Sequence, residues 1–185
     1  MVQVERARPD DFLVLEALVE ATFIETWTGI VDEEHIRQHM SDGHASQVVE
    51  RYRYCSNADI FVARQGNALV GYAIGLSAED DAAASVPGFY KVDKLYLKAS
   101  LHGQGVGKQL WDAIVGSAKD SGAAGLYLTH YPGNARASRF YARQGLRKVG
   151  DTVYKCGNGD YSDWVLAASW NELGSASDDR GVIAK

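Results

Sequence analysis

Gly103, Gly105 and Gly107 alternate in the segment His102-Gly103-Gln104-Gly105-Val106-Gly107-Lys108. Without β-carbons the backbone there can turn its N–H groups onto one anion, and a helix starting at that point would add its positive end. Phosphate binding is therefore the chemistry to consider. A dinucleotide fingerprint needs GxGxxG, but Lys108 stands where the third glycine belongs. An ATP-type loop needs GxxxxGK followed by Ser or Thr. Here His102 replaces its first glycine and Gln109 the hydroxyl that would hold magnesium. A CoA pyrophosphate loop and a glycine turn without a ligand both survive.

A second group of candidates follows. Asn134 and Tyr141 lie two helical turns apart, so on a helix they point to one side. A phenol, with an ordinary pKa of about 10, can give a proton to a leaving group, and a carboxylate or histidine nearby can take one from an attacking group. Asp93 is the first choice and Glu25, close to Thr26 and Trp27, the alternative. His130 sits at a strand end beside Tyr131-Pro132, where it could touch substrate or serve a loop. Taken singly, Tyr141 reads rather as a core aromatic beside Phe140, and each carboxylate equally as a solvated or salt-bridged charge.

The elements that must position these residues follow from hydrophobic period. Residues 2–7 alternate as a short strand. Residues 10–27 carry Phe12, Leu15, Val19 and Phe23 on one helical stripe. Residues 33–54 are helical but broken near 41–44, where Ser, Asp and Gly cluster. Apolar runs at 60–64 and 69–76 flank Gln65-Gly66-Asn67, which predicts a hairpin. The acidic, alanine-rich stretch 77–88 reads as a mobile loop over the site. A strand at 89–97, a helix from Gly105 to Gly122, a strand at 126–129 and a helix at 134–144 come next. Strands near 147–156 and 161–168 close the chain, joined by Gly157-Asn158-Gly159-Asp160. One domain over residues 1–169 and a flexible tail over 170–185 are expected.

Order and spacing together resemble the GNAT superfamily of N-acetyltransferases. Its glycine motif, Arg/Gln-x-x-Gly-x-Gly/Ala after a Leu-x-Val-type strand, is matched by Gly105 and Gly107, with His102 in the Arg/Gln place. Its later motif, Asn-x-x-Ala-x-x-hydrophobic-Tyr-x-x-x-Gly-Phe, is similar to Asn134 through Leu146, with Leu146 for Phe. The resemblance implies an α/β (α+β) fold with a mixed, mostly antiparallel sheet of about seven strands, flanked by helices and splayed at a parallel pair. It implies an acetyl-CoA-dependent N-acetyltransferase acting through a tetrahedral intermediate, with Tyr141 as general acid. The CoA site would comprise Leu95, Tyr96 and Leu97, the loop His102, Gly103, Gln104, Gly105, Val106, Gly107 and Lys108, and Asn134. Leu97 N–H would steady the developing oxyanion. Thr22 to Trp27 and Asp160 to Trp164 look similar to a bacterial branch associated with polyamine-type acetylation, so a small-molecule amine is the expected partner. Protein acetylation and a non-catalytic CoA-binding module are the alternatives.

Composition narrows the classes. A net charge of -5 lacks the basic surplus of a nucleic-acid binder. No apolar run reaches bilayer length, so a soluble, cytoplasmic protein is expected. Cys55 and Cys156 have no metal or redox spacing and should be free thiols, so no metal is expected. The chain could pair as a homodimer.

Overall fold

A computed structural model describes residues 1–77 and 86–173. The elements run β1 (Val2–Arg6), α1 (Phe12–Trp27), α2 (Glu33–Ser41), α3 (His44–Arg53), β2 (Ala58–Gln65), β3 (Ala68–Leu76) and β4 (Tyr90–Leu97). They continue through α4 (Val106–Asp120), β5 (Gly125–His130), α5 (Ala135–Arg143), β6 (Arg147–Cys156) and β7 (Gly159–Ser169). The strands form one seven-stranded sheet in the order β1-β2-β3-β4-β5-β7-β6. Every neighbouring pair is antiparallel except β4 and β5. This is the mixed sheet with one parallel pair that the sequence led us to expect.

Helices cover both faces because each has one apolar stripe. On α1, Leu15, Leu18, Val19 and Phe23 recur at helical spacing; the first three are buried with Val48, Val49 and Tyr52 of α3 against β2 and β3, and Phe23 is buried with Ile36 and Cys156. On α4, Val106, Leu110, Trp111, Ile114 and Ala118 pack on the opposite face with Tyr90, Leu126, Leu128 and Leu166. Ile114 and Leu110 are fully buried, each contributing about 2 kcal/mol by area. The break between α2 and α3 falls where expected: Gly43 adopts φ 82, which ends one helix and opens the next.

Two details differ from expectation. A 3-10 turn over Pro9–Asp11 precedes α1, which shifts its start to Phe12. The last hairpin closes in two residues, with Gly157 at φ 55, so β7 begins at Gly159. Residues 170–173, the start of the expected tail, form a helical turn. Trp170 donates its Nε1–H to Ala123 O at 2.5 Å, and Glu172 accepts from Ser169 N and pairs with Arg147. The rest of the tail, 174–185, and residues 78–85 of the expected loop lie outside the described residues. No helix among the described residues is long and apolar enough to cross a membrane.

Candidate functional site

The parallel ladder between β4 and β5 contains only two pairs, Tyr90↔Leu126 and Lys91↔Tyr127. Beyond Lys91 the strands part, while β4 stays paired to β3 as far as Leu97. Lys98 N–H donates to Val70 O of β3 at 2.9 Å, so strand alternation turns the Leu97 and Leu95 amides the other way, into the gap. These are the groups an extended ligand arm could pair with. A cavity of about 510 Å³ occupies the gap. It crosses the sheet: Leu95, Leu97, Phe140 and Tyr141 line its α4 and α5 side, and Phe23, Trp27 and Tyr96 its α1 side.

The glycine turn forms the mouth on the α4 side. Gly103 and Gly105 take φ of 77 and 81, conformations that side chains with a β-carbon rarely adopt. Gly105 caps α4 with no side chain of its own, leaving the first helical amides facing out. Gly107 has ordinary helical backbone, yet a β-carbon there would meet nothing within 4 Å. The turn thus provides empty space in front of a helix N-terminus, a fit for pyrophosphate. Lys108 also lines the cavity and pairs with Asp112 one turn on. His102 uses Nε2–H to hold Leu97 O at 3.1 Å. Burial, then the charge of Arg136, lowers its pKa, so the ring is neutral. It locks the end of β4 rather than adding charge. Gln104 turns back to Ser100 O.

Helix α5 opens on Asn134, whose Oδ1 accepts from Ala137 N–H at 3.1 Å. Asn134 and Tyr141 both line the cavity. The Tyr141 ring touches His130 edge-on at 5.6 Å and Trp111 at 6.0 Å. Burial, and then Tyr96, pushes the Tyr141 phenol well above its usual range, so it remains protonated and able to donate. His130 shares a 2.6 Å hydrogen bond with Ser138, and burial pulls it down to about 4.

The two carboxylates chosen as candidate bases are both engaged. The register of β3 against β4 slips between Ile74 and Gly75, which leaves Asp93 as the extra residue of a bulge. Its carboxylate accepts from Tyr52 OH at 2.5 Å and pairs with Lys91 at 3.0 Å and Lys94 at 2.6 Å. Burial opposes its charge, but the two ammonium groups win and hold the carboxyl far below the carboxylate range. Such a group keeps its charge and is a weak proton acceptor. Glu25 is exposed and accepts from Ala99 N–H at 2.8 Å, which fastens the turn after β4 to the end of α1.

At the far end of the cavity stand Phe23, Trp27, Tyr96, Tyr131, Tyr154 and Tyr161. Successive rings touch: Phe23 and Trp27 at 6.0 Å, Trp27 and Tyr131 at 6.1 Å, Tyr131 and Tyr161 at 5.5 Å. The Trp27 indole donates to Tyr96 OH, and Tyr161 OH shares a 2.8 Å hydrogen bond with His35 of α2. Among these rings lies Asp163 of β7, only 6% exposed, its Oδ1 buried without a hydrogen-bond partner.

Residues 24–146 match the acetyltransferase (GNAT) family. The chain belongs to that family. An uncharacterised N-acetyltransferase of Mycobacterium tuberculosis is 28% identical over 152 residues, covering 82% of this chain and 93% of the relative. In fold, the chain is similar to the PaiA N-acetyltransferase of Thermoplasma acidophilum solved with coenzyme A, at a TM-score of 0.72 and 17% identity, over 92% of this chain and 99% of that one. It is also similar to a GCN5-related N-acetyltransferase from Rhodopseudomonas palustris, at a TM-score of 0.70 and 18% identity, over 90% and 94%. The protein is an acetyl-CoA-dependent N-acetyltransferase.

Within this acetyltransferase Leu95, Tyr96, Leu97, His102, Gly103, Gly105, Gly107, Lys108, Asn134 and Tyr141 line one cavity; of the other two residues expected at the CoA site, Gln104 turns back to Ser100 O and Val106 is buried in the core beneath α4. Asp93 joins them but is held by its lysines, while Glu25 contacts the turn outside the lining. Asp163, Tyr154 and Tyr131 were not named as site residues by sequence reasoning. One signal was present for Asp163: in β7 it shares a face with buried Val165, and a carboxylate at an inward strand position demands a reason.

Proposed function

We propose that this acetyltransferase passes the acetyl group of acetyl-CoA to the primary amine of a small molecule by direct attack. The observation that carries the reading is the far end of the cavity, where rings from α1, the β5–α5 turn, β6 and β7 close around a single compact space. The whole cavity is about 510 Å³ and includes the glycine turn and the edge of β4, so the share left at the ring-lined end is of small-molecule size. A groove for a polypeptide would need a longer open wall.

CoA supplies an activated thioester and a thiolate leaving group. In this reading the Gly103 to Gly107 turn and the α4 N-terminus hold its pyrophosphate, and the free edge of β4 aligns its arm. The Leu97 N–H faces the oxygen that gains charge as nitrogen bonds to the carbonyl carbon. The carbon–sulfur bond then breaks, Tyr141 gives its proton to sulfur, and nitrogen loses one in return. Asn134 fixes the start of the helix that carries Tyr141. Asp93 and Glu25 position their segments: Asp93 ties β4 to α3, and Glu25 anchors the turn that leads to His102.

The test is a panel of amines and peptides with acetyl-CoA, following free thiol in wild type and in Tyr141→Phe. Amine-dependent thiol release that falls in the variant is expected. Binding of acetyl-CoA without turnover of any amine would overturn the reading, and a strong preference for peptides would replace it.

A further inference from the structure

Among the described residues two carboxylates line the cavity, Asp93 and Asp163. Asp93 is paired with both Lys91 and Lys94. Asp163 has no ion pair among the described residues, and its buried Oδ1 has no hydrogen-bond partner. An unpartnered carboxylate oxygen in a buried wall is costly unless a ligand completes it. Its place in the sheet is suited to that. His130, the last residue of β5, pairs with Trp164, so Asp163 lies one residue past the end of β5, at the opening between β4 and β5. There it faces the cavity together with Tyr96, Tyr154 and the ring series from Phe23 to Tyr161.

We propose that Asp163 receives the acceptor's ammonium group and takes its proton, and that the acceptor is a compact amine with one positive charge on an aromatic or bulky apolar body. This rests on the amine-acetylation reading above. The ring faces offer a cation–π surface and apolar contact, with Trp27 the strongest of them. One carboxylate matches one ammonium. Lys91 and Lys94 both pair with Asp93, and His44 is pulled down to about 4 by burial, then by His39 and Lys94, so Asp163 is the one carboxylate of the described lining without a cation. Among the described residues no second free carboxylate lines the cavity for the further charges of a polyamine, and a substrate carboxylate would face Asp163 directly.

The proton balance is simple. The ammonium N–H bond breaks and its proton moves to an Asp163 oxygen. The freed lone pair forms the C–N bond, and the proton then passes to solvent. Burial alone pushes the Asp163 carboxyl up to about 6, well placed to accept a proton at neutral pH. The groups that face it titrate elsewhere. Tyr96 is pushed up to about 12, Tyr154 and Cys156 are raised by burial, and His130 is held near 4.

The experiment measures kcat/KM for 2-phenylethylamine, spermidine and glycine against pH, with acetyl-CoA binding measured alongside, in wild type, Asp163→Asn and Asp163→Glu. Wild type should prefer 2-phenylethylamine at least tenfold over the other two and lose activity below a limb near pH 6. Asp163→Asn should bind acetyl-CoA normally, lose about 100-fold in kcat/KM and lose the limb, with partial recovery in Asp163→Glu. An Asn variant within threefold of wild type with the limb intact, or a preference for spermidine, overturns the assignment while leaving amine acetylation standing. Acetyl-CoA binding with no turnover of any amine overturns both.

Discussion

At the end of the cavity proposed to hold the donor the wall is main chain: the free edge of β4, the amides at the head of α4, and three glycines that keep side chains out of the way. At the end proposed to hold the acceptor the wall is side chain: rings from α1, β4, β6, β7 and the turn after β5, around one carboxylate. The same sheet supports both, and the difference follows from what each end meets. Pyrophosphate and an amide-bearing arm present the same groups every time, so oriented backbone suffices and tolerates drift in side-chain identity, as His102 in the Arg/Gln place illustrates. An acceptor is told from its competitors by shape and charge, which only side chains can vary.

The largest test of this contrast is Gly107→Glu. Its backbone is not in the left-handed region and a β-carbon meets nothing, so the fold should survive with an unchanged melting curve. The carboxylate would occupy the phosphate space with like charge, and acetyl-CoA affinity measured by calorimetry should fall at least about 100-fold, roughly 3 kcal/mol. Retained affinity would remove the backbone cradle as the donor site.

Tyr141→Phe comes next and probes the seam between the two ends. With the proton donor gone, kcat should drop by about 100-fold while acetyl-CoA binding stays within twofold. An equal loss in binding and turnover would make Tyr141 a wall residue. Smaller again is Trp27→Leu at the acceptor end. Losing the ring should raise the amine KM up to about tenfold and leave the acetyl-CoA KM untouched. A change in both would mean that the ends are not separable.

The same contrast explains what could be read from the chain beforehand. Hydrophobic periods placed nearly every element, because the sheet faces and helix stripes repeat within each segment. The donor site is local, contained in the turn after β4 and in α5, so its spacing was visible. The acceptor end is gathered from residues far apart: Trp27, Tyr131, Tyr154 and Asp163 meet only when β6 and β7 fold back beside α1 and α2. Asp93 is the first choice of base in the sequence. A one-residue bulge, invisible in the sequence, gave it to Tyr52 and two lysines instead.

The last effect concerns stability rather than binding or turnover, and it separates the ends by pH. Asp163 is raised from its ordinary 3.8 to about 6 by burial, so the folded state favours its protonated form. Its contribution to stability is complete below about pH 4, is lost as pH rises toward 6, and is absent above that. The span is worth on the order of 3 kcal/mol. Asp163→Asn cannot ionise, so its melting temperature should exceed that of wild type by a few degrees at pH 7.5. The gap should close as pH falls to 4. His130 and His44 act in the opposite sense, since burial holds both near 4 and their contribution fades as pH falls from 6.5. They do so in wild type and variant alike and drop out of the difference. Gly107→Glu, at the donor end, should show no such pH-dependent gain, because no buried carboxylate is relieved there. A melting difference for Asp163→Asn that does not change with pH would mean that Asp163 carries no buried charge in the free enzyme, and the acceptor end would then need another counter-ion.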